Sequence, residues 1–315
     1  MNRKLLGVLM MYDVIIIGAG PGGMTSALYA SRSGLSVLVI ERGAPGGQLM
    51  NTDEVENYPG FNLISGPDLA LKMYENSSNF GAEHVYGNVV NIENHGSTKK
   101  VICDDETYEG KTVIIASGSE HRKIGIPGEE EYAGRGVSYC AVCDGAFFRD
   151  RHLVVIGGGD SAIEEGMYLT QFASKVTIIH RRDQLRAQKI LQERAFKNEK
   201  IEFMWNKVPI EINGNDMSVQ SIKLEDTKTG EIEDFLADGV FIYIGLDPLT
   251  EFVKDLGITN EQGWIKTDAH MSTSIPGIYA IGDVRDTVLR QIATAVGDGS
   301  IAGQEVYNYL SSLDD

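Results

Sequence analysis

Val14-Ile15-Ile16-Ile17 is an unbroken apolar run that closes on Gly18-Ala19-Gly20-Pro21-Gly22-Gly23, after which Met24, Ala27, Leu28 and Ala30 fall at helical spacing. A short apolar run bounded by turn residues predicts a strand buried on both faces, and the recurrence behind it predicts a helix entered through a tight turn. A second run, Val37-Leu38-Val39-Ile40, ends in Glu41 and completes a βαβ unit of roughly thirty residues. The same order returns later. Leu153 to Ile156 leads into Gly157-Gly158-Gly159-Asp160-Ser161-Ala162, a helix follows to about Phe172, and a strand runs from Val176 to Ile179. The duplication predicts two dinucleotide-binding units in two domains.

Between the copies, Gly46 to Phe61 is rich in Gly, Asn and Pro. A helix over 67–80, a strand-rich stretch over 84–108 and the apolar segment Thr112 to Gly118 are predicted next. Beyond the second copy, 201–236 reads as a strand meander. Gly239 to Gly245 then repeats the strand-to-glycine pattern of 113–118, as paired crossings between two domains would. Gly277 to Asp283 and a last helix from Ile292 to Leu310 return to the first domain. The fold class expected is α/β, with two Rossmann-like, three-layer ββα domains. The first is discontinuous, over 11–118 and 248–315, and the second, over 119–247, is inserted into it. Residues 1–10, with Arg3 and Lys4 ahead of Leu5 to Met11, read as an extension rather than a signal peptide, because no small-residue cleavage site follows.

Composition narrows the chemistry. The 315 residues carry 28 Lys+Arg against 45 Asp+Glu, a formal charge of −17 that argues against binding to nucleic-acid backbones. Glycine, at 36 residues, is over-represented without low-complexity runs, which points to tight turns and close backbone approaches. No apolar run approaches the ~18 residues of a membrane span. Three cysteines cannot form a disulfide framework, and the reducing cytoplasm is the expected location.

Gly18-x-Gly20-x-x-Gly23 matches the dinucleotide fingerprint, and its setting after a strand and ahead of a helix gives the match weight. Glu41 ends the next strand, where a carboxylate accepts hydrogen bonds from ribose hydroxyls. The second copy has His180-Arg181-Arg182 at the corresponding place, with Arg186 one turn on. An acidic side chain would repel a 2′-phosphate and guanidinium groups grip one, so NADPH is expected rather than NADH. Ala162 stands for the third glycine, a variation the fingerprint allows.

Cys140-Ala141-Val142-Cys143-Asp144 can close a small disulfide, with a helix start nearby to favour a thiolate and a carboxylate beside it to move the proton. Half of a zinc site and a pair of inert thiols are the other readings. Zinc would want further Cys or His at ligand spacing, and Cys103 and the scattered histidines supply no second pair.

Taken together, Gly18–Gly23, Gly46-Gly47-Gln48, Cys140–Gly145, Gly157–Ala162, His180-Arg181-Arg182 and Gly282-Asp283 with Arg290-Gln291 resemble the low-molecular-weight, bacterial-type thioredoxin reductases over about residues 12–310. The resemblance implies FAD in the first domain, held by Gly18, Ala19, Gly20, Gly23, Glu41, Gly47, Gln48, Asn57 and Asp283, with Arg290, Gln291 and Ile292 near its isoalloxazine and ribityl portion. It implies NADPH in the inserted domain, at Gly157, Gly159, Asp160, Ser161, Ala162, His180, Arg181, Arg182 and Arg186. Cys143 would face the flavin, Cys140 would attack the disulfide of a thioredoxin, and Asp144 would serve as acid and base. A homodimer and a rotation about hinges at 117–121 and 245–247 are further implications. Ser117, where the family usually has Thr, and Ile281, where a small residue is common, are departures that leave the redox residues intact. Reducers of ferredoxin or flavodoxin share the layout but lack the cysteine pair. The flavoprotein of an alkyl hydroperoxide reductase carries a thioredoxin-like module ahead of the first strand. Reduction of a small disulfide and a non-catalytic redox sensor are the remaining alternatives.

Overall fold

The structure is a computed structural model that describes residues 11–52, 55 and 57–313, apart from the side chains of Asn51, Val142 and Cys143. The extension expected over 1–10 lies outside the described residues. The chain divides into two compact units, the first formed by residues up to Glu120 and from Asp247 onward, the second by His121–Leu246.

The first segment of unit 1 runs β1 (Met11–Ile17), α1 (Pro21–Arg32), β2 (Val37–Glu41), α2 (Gly66–Asn79), β3 (Glu83–Tyr86), β4 (Val89–His95), β5 (Thr98–Cys103) and β6 (Thr107–Ile115). The crossing strand β7 (Ser119–His121) leads into unit 2, which contains β8 (Val137–Ser138), α3 (Ala141–Asp144), β9 (His152–Gly157), α4 (Asp160–Leu169), β10 (Lys175–His180), α5 (Lys189–Phe196), β11 (Ile201–Trp205), β12 (Lys207–Gly214), β13 (Val219–Asp226), β14 (Ile232–Leu236) and β15 (Gly239–Tyr243). The return strand β16 (Leu246–Pro248) pairs with β7, and β17 (Ile278–Ala280) and α6 (Ile292–Ser311) complete unit 1.

The sheet of unit 1 has the order β3-β2-β1-β6-β5-β4. β1, β2, β3 and β6 are parallel, with Ile16 opposite Val39 on one side and Ile114 on the other. On the side away from β1, β6 serves two partners. Its first half pairs antiparallel with β5, and its end, Val113 to Ile115, pairs parallel with β17. The apolar run of β1 is continuous because both of its faces are covered. Val14 and Ile16 pack with Met24, Ala27, Ala302 and Val306 on the helical side, whereas Ile15 and Ile17 pack with Ile92, Val101 and Val284 on the other. α2 begins at Gly66, one residue ahead of the predicted start, and is capped by Ser65, whose hydroxyl accepts from Asp68 N at 3.1 Å.

Unit 2 repeats the plan with the parallel order β11-β10-β9-β15-β8 and an antiparallel sheet β12-β13-β14. Leu153 and Val155 face the helices, and Val154 and Ile156 face the antiparallel sheet with Ile222 and Leu224. This is the three-layer ββα arrangement, so the α/β fold class stands. The helix predicted to about Phe172 ends at Leu169, and the chain continues in turns.

In unit 1 the close packing of α6 against α1 depends on small residues. A β-carbon at Gly299 would lie 2.4 Å from the carbonyl oxygen of Gly22, whereas one at Gly297, on the same helix, would meet nothing within 4 Å. Gly299→Ala is therefore expected to destabilise the protein by about 1–3 kcal/mol through overpacking. Gly297→Ala should stabilise it by roughly 0.5–1 kcal/mol by lowering the entropy of the unfolded chain. Denaturant unfolding of the two variants checks the opposite signs.

Candidate active site

Both glycine turns are built by the close approach of a strand end to a helix start. Gly18 has φ +103°, and a β-carbon there would lie 2.4 Å from Ala116 O. Glu41 holds this turn from the end of β2. Its carboxylate accepts from Ala19 N at 2.7 Å and from Gly43 N at 2.9 Å. The turn at 46–47 docks alongside, with Gly46 N donating to Ala19 O at 2.8 Å, and Gln48 Nε2 donates to Ser119 O at 3.2 Å. A cavity of about 440 Å³ opens at the ends of β1 and β2, lined by Ile17, Gly18, Ile40, Glu41, Ser117 and Thr250 among others.

The remaining unit 1 residues gather into two small networks. Asn57 Nδ2 donates to Gln291 Oε1 at 3.0 Å, and Gln291, ahead of Ile292, caps α6 together with Thr294. Asp283 lies in the turn after β17. Burial pushes its carboxyl up to about 6, against the opposing pull of Arg290 and with a further push from Asp298. Arg290 donates to the carbonyls of Asp283 and Arg285 at 3.2 and 3.1 Å. Its guanidinium also stacks 3.7 Å from the ring centroid of Trp264. Asp298 Oδ2 accepts from Arg285 at 2.6 Å and from Gly282 N at 2.9 Å, which fixes the turn from behind. Trp264 and Asp298 carry no sequence motif, and only the fold brings them to this turn.

In unit 2, Gly157 and Ala162 meet as the fingerprint requires. A β-carbon at Gly157 would lie 2.7 Å from that of Ala162. The buried ring of His180 lies against the turn, so that a β-carbon at Gly158 would fall 2.4 Å from its Nδ1. His180 Nε2 has no hydrogen-bond partner, and burial first, then the nearby arginines, lowers the imidazole pKa. Arg181, Arg182, Arg186 and Ser161 are exposed. Asp160 differs from these. Both of its oxygens are engaged by Gln188, at 2.7 Å from the backbone N and 2.9 Å from Nε2.

The residues present fit dinucleotides. Neither α1 nor α4 has a side-chain cap, and a β-carbon at Gly20 or Gly159, the residue just before each helix, would meet nothing within 4 Å. A helix start without a side-chain cap and with open space beside it is what a pyrophosphate uses.

Cys140 is held in a disulfide, and Cys103 is a free, buried thiol whose pKa burial raises to about 11. Cys143 and Asp144 follow on α3, and the side chain of Cys143 lies outside the described residues. Two side chains with no sequence signal stand behind this turn. Tyr243, at the end of β15, accepts from Ala141 N at 2.7 Å, which occupies one of the amides that the sequence left available to a thiolate. Glu165, on α4, has a buried Oε2 with no partner, and burial pushes its carboxyl up to about 7. The Tyr243 hydroxyl is held well above its ordinary value by burial and then by the charges of Glu165 and Asp144. Among the described residues, no group of three or more His, Cys, Asp or Glu could hold a metal ion, and no helix is long and apolar enough to cross a membrane.

Two glycine turns and a disulfide-bonded cysteine in a paired α/β frame define a dinucleotide-linked disulfide oxidoreductase. Residues 12–299 match the pyridine nucleotide-disulphide oxidoreductase family. The chain is 58% identical over 303 residues to a thioredoxin reductase of Bacillus subtilis, covering 96% of each protein. It superposes on a crystal structure of the Lactococcus lactis thioredoxin reductase, in the FR conformation, with a TM-score of 0.89 at 58% identity, covering 96% of this chain and 99% of that one. With the thioredoxin reductase of T. acidophilum the TM-score is 0.85 at 38% identity, over 96% and 99% of the two chains. The chain belongs to the pyridine nucleotide-disulphide oxidoreductases, among the thioredoxin reductases.

The Glu165 carboxyl gives this site a pH signature. Its pKa rises from an ordinary 4.5 to about 7 in the fold, so the proton stabilises the native state. That contribution is complete below about 4.5 and is lost as pH rises through about 7. Glu165→Gln should therefore raise the thermal unfolding midpoint more at about pH 8 than at about pH 5. Equal gains at both values would contradict the assignment.

Proposed function

We propose that the protein is an NADPH-dependent thioredoxin-disulfide reductase, with FAD in unit 1, NADPH in unit 2 and Cys140–Cys143 as the redox pair. The observation that carries this reading is the disulfide-bonded Cys140, placed just ahead of the second glycine turn while Cys103 stays a buried free thiol. Bound FAD supplies a two-electron carrier between the hydride of NADPH and sulfur.

The chain's own residues do the rest. The Gly18–Gly23 turn takes the pyrophosphate of FAD, Gly47, Gln48 and Asn57 border it, and Glu41, already pinned on Ala19, presents a carboxylate to the ribose. Asp283 accepts from a ribityl hydroxyl, and Arg290, Gln291 and Ile292 border the ring. The burial that disfavours the Asp283 carboxylate supports this role, because a hydrogen-bond donor would repay the burial of its charge. In unit 2 the turn at Gly157, Gly159, Ser161 and Ala162 receives the second pyrophosphate. Arg181, Arg182 and Arg186 grip the 2′-phosphate and His180 covers the turn.

In the reduced enzyme the Cys140 thiolate attacks the disulfide of oxidised thioredoxin, forming a mixed disulfide and releasing one thiolate. Asp144 supplies the proton that this thiolate takes. Cys143 then attacks the Cys140 sulfur, which restores the Cys140–Cys143 disulfide and releases thioredoxin as a dithiol. Two electrons leave the enzyme in each round, matching the single hydride taken from NADPH.

FAD is assigned to one unit, and NADPH and the cysteines to the other. The reading therefore includes a rotation of unit 2 about the crossings at 117–121 and 245–247. A covalent cross-link between the units that left turnover intact would remove this part. A homodimer joined through unit 1 and a cytoplasmic location belong to the same reading, supported by the resemblance and the cysteine-poor composition.

The test is anaerobic NADPH oxidation by the flavin-loaded protein with oxidised thioredoxin. Cys143→Ser should lower thioredoxin-dependent turnover by about a hundredfold or more while NADPH still bleaches the flavin. Bleaching in both proteins with no stimulation by thioredoxin would keep the cofactors and overturn the acceptor.

A further inference from the structure

In unit 2 the segment that carries Arg181, Arg182 and Arg186 leaves the sheet at the end of β10 and turns back over the glycine loop. All three arginines are exposed, so their side chains do little to hold the segment in place. Its first part is tied weakly to the strands beside it, with Asn206 N donating to Arg182 O at 3.4 Å and Lys228 3.4 Å from Asp183, and its second part is held by a set of shorter bonds to the turn itself. Arg186 N and Ala187 N donate to Gly158 O at 2.7 and 3.2 Å. Immediately beyond them Gln188 is bound twice by Asp160, through its backbone N and through its side-chain amide.

Asp160 stands in the first turn of α4, where a carboxylate facing a pyrophosphate would repel it. Its two oxygens are instead directed at Gln188, a neutral partner. A pair of hydrogen bonds between the start of α4 and the far end of the arginine segment closes that segment into a loop anchored on the turn. An unanchored loop would pay the entropy of ordering each time the arginines met a ligand.

We propose that Asp160 is a positioning residue rather than a cofactor contact, and that its clasp on Gln188 sets the preference for a 2′-phosphorylated adenosine. The inference rests on the NADPH reading given above. It separates two tasks within one turn: the glycines receive the pyrophosphate, and the clasp holds the arginines where the 2′-phosphate lies.

Calorimetric titration of the flavin-loaded protein with adenosine 2′,5′-bisphosphate and with AMP tests it without turnover. The wild type should prefer the bisphosphate by about tenfold or more. Asp160→Ala should narrow that preference by about fivefold or more, and Gln188→Ala, which keeps the bond from the backbone N, by about twofold or more, while AMP affinity stays within about twofold. Asp160→Asn, which can still accept from Gln188 N and exchange a bond with the side-chain amide, should keep the preference. Variants that keep the wild-type ratio, or lose both nucleotides in equal proportion, would overturn the clasp. So would Asp160→Asn behaving like Asp160→Ala, because charge would then be the active property. If Asp160→Ala fails to fold, Gln188→Ala, which removes only an exposed side chain, decides the matter. A wild type that binds the two nucleotides equally would instead end the NADPH reading itself, and this proposal with it.

Discussion

Everything in this protein that could hold a nucleotide depends on how closely a helix start can approach the end of a neighbouring strand. At Gly18 that approach leaves no room for a side chain beside Ala116, and at Gly157 none beside Tyr243. The parallel strands can supply such sites only because both faces of each sheet are buried, which positions the helix starts at one end of the sheet. Once the backbone is that close, no side chain caps the start of α1 or α4, and open space lies beside the glycine just before each helix. An anion is the natural complement.

The two turns use their carboxylates differently. Glu41 bonds to the turn it follows and lines the cavity beside it, so one side chain both stiffens the loop and faces the space a ribose would fill. Asp160, although inside the second fingerprint, is committed wholly to Gln188. The basic segment after β10 lies where Glu41 lies in the first unit. The duplicated frame has thus been kept while its charge has been inverted at one strand end.

Around the cysteine turn, polar groups have been buried at a cost. Glu165 keeps an unpartnered oxygen, and its neighbour Tyr243 spends its hydroxyl on the amide of Ala141. Burying such groups is unfavourable unless each is paired or neutral, and a carboxyl whose pKa reaches about 7 meets that condition by holding its proton. The order of groups, from cysteine turn to tyrosine to carboxyl, keeps apolar and weakly charged surroundings behind the disulfide.

The amino-acid sequence by itself determined the alternation of strand, glycine turn and helix, its duplication, and the order in which the basic segment and the cysteines occur. These are local in character: an apolar run, a turn that needs glycine and a helical period are each written within about a dozen residues. The tertiary structure alone decided which long-range partners complete each turn. Trp264 under Arg290, Asp298 behind Gly282, Tyr243 on Ala141 and Gln188 on Asp160 join residues from different elements, by contacts that leave no periodicity to read. The same reason explains why the bond from Gln188 to Asp160 was not legible in the motif. Spacing locates a side chain on an element, but its hydrogen-bond partner is chosen by whatever the fold brings beside it.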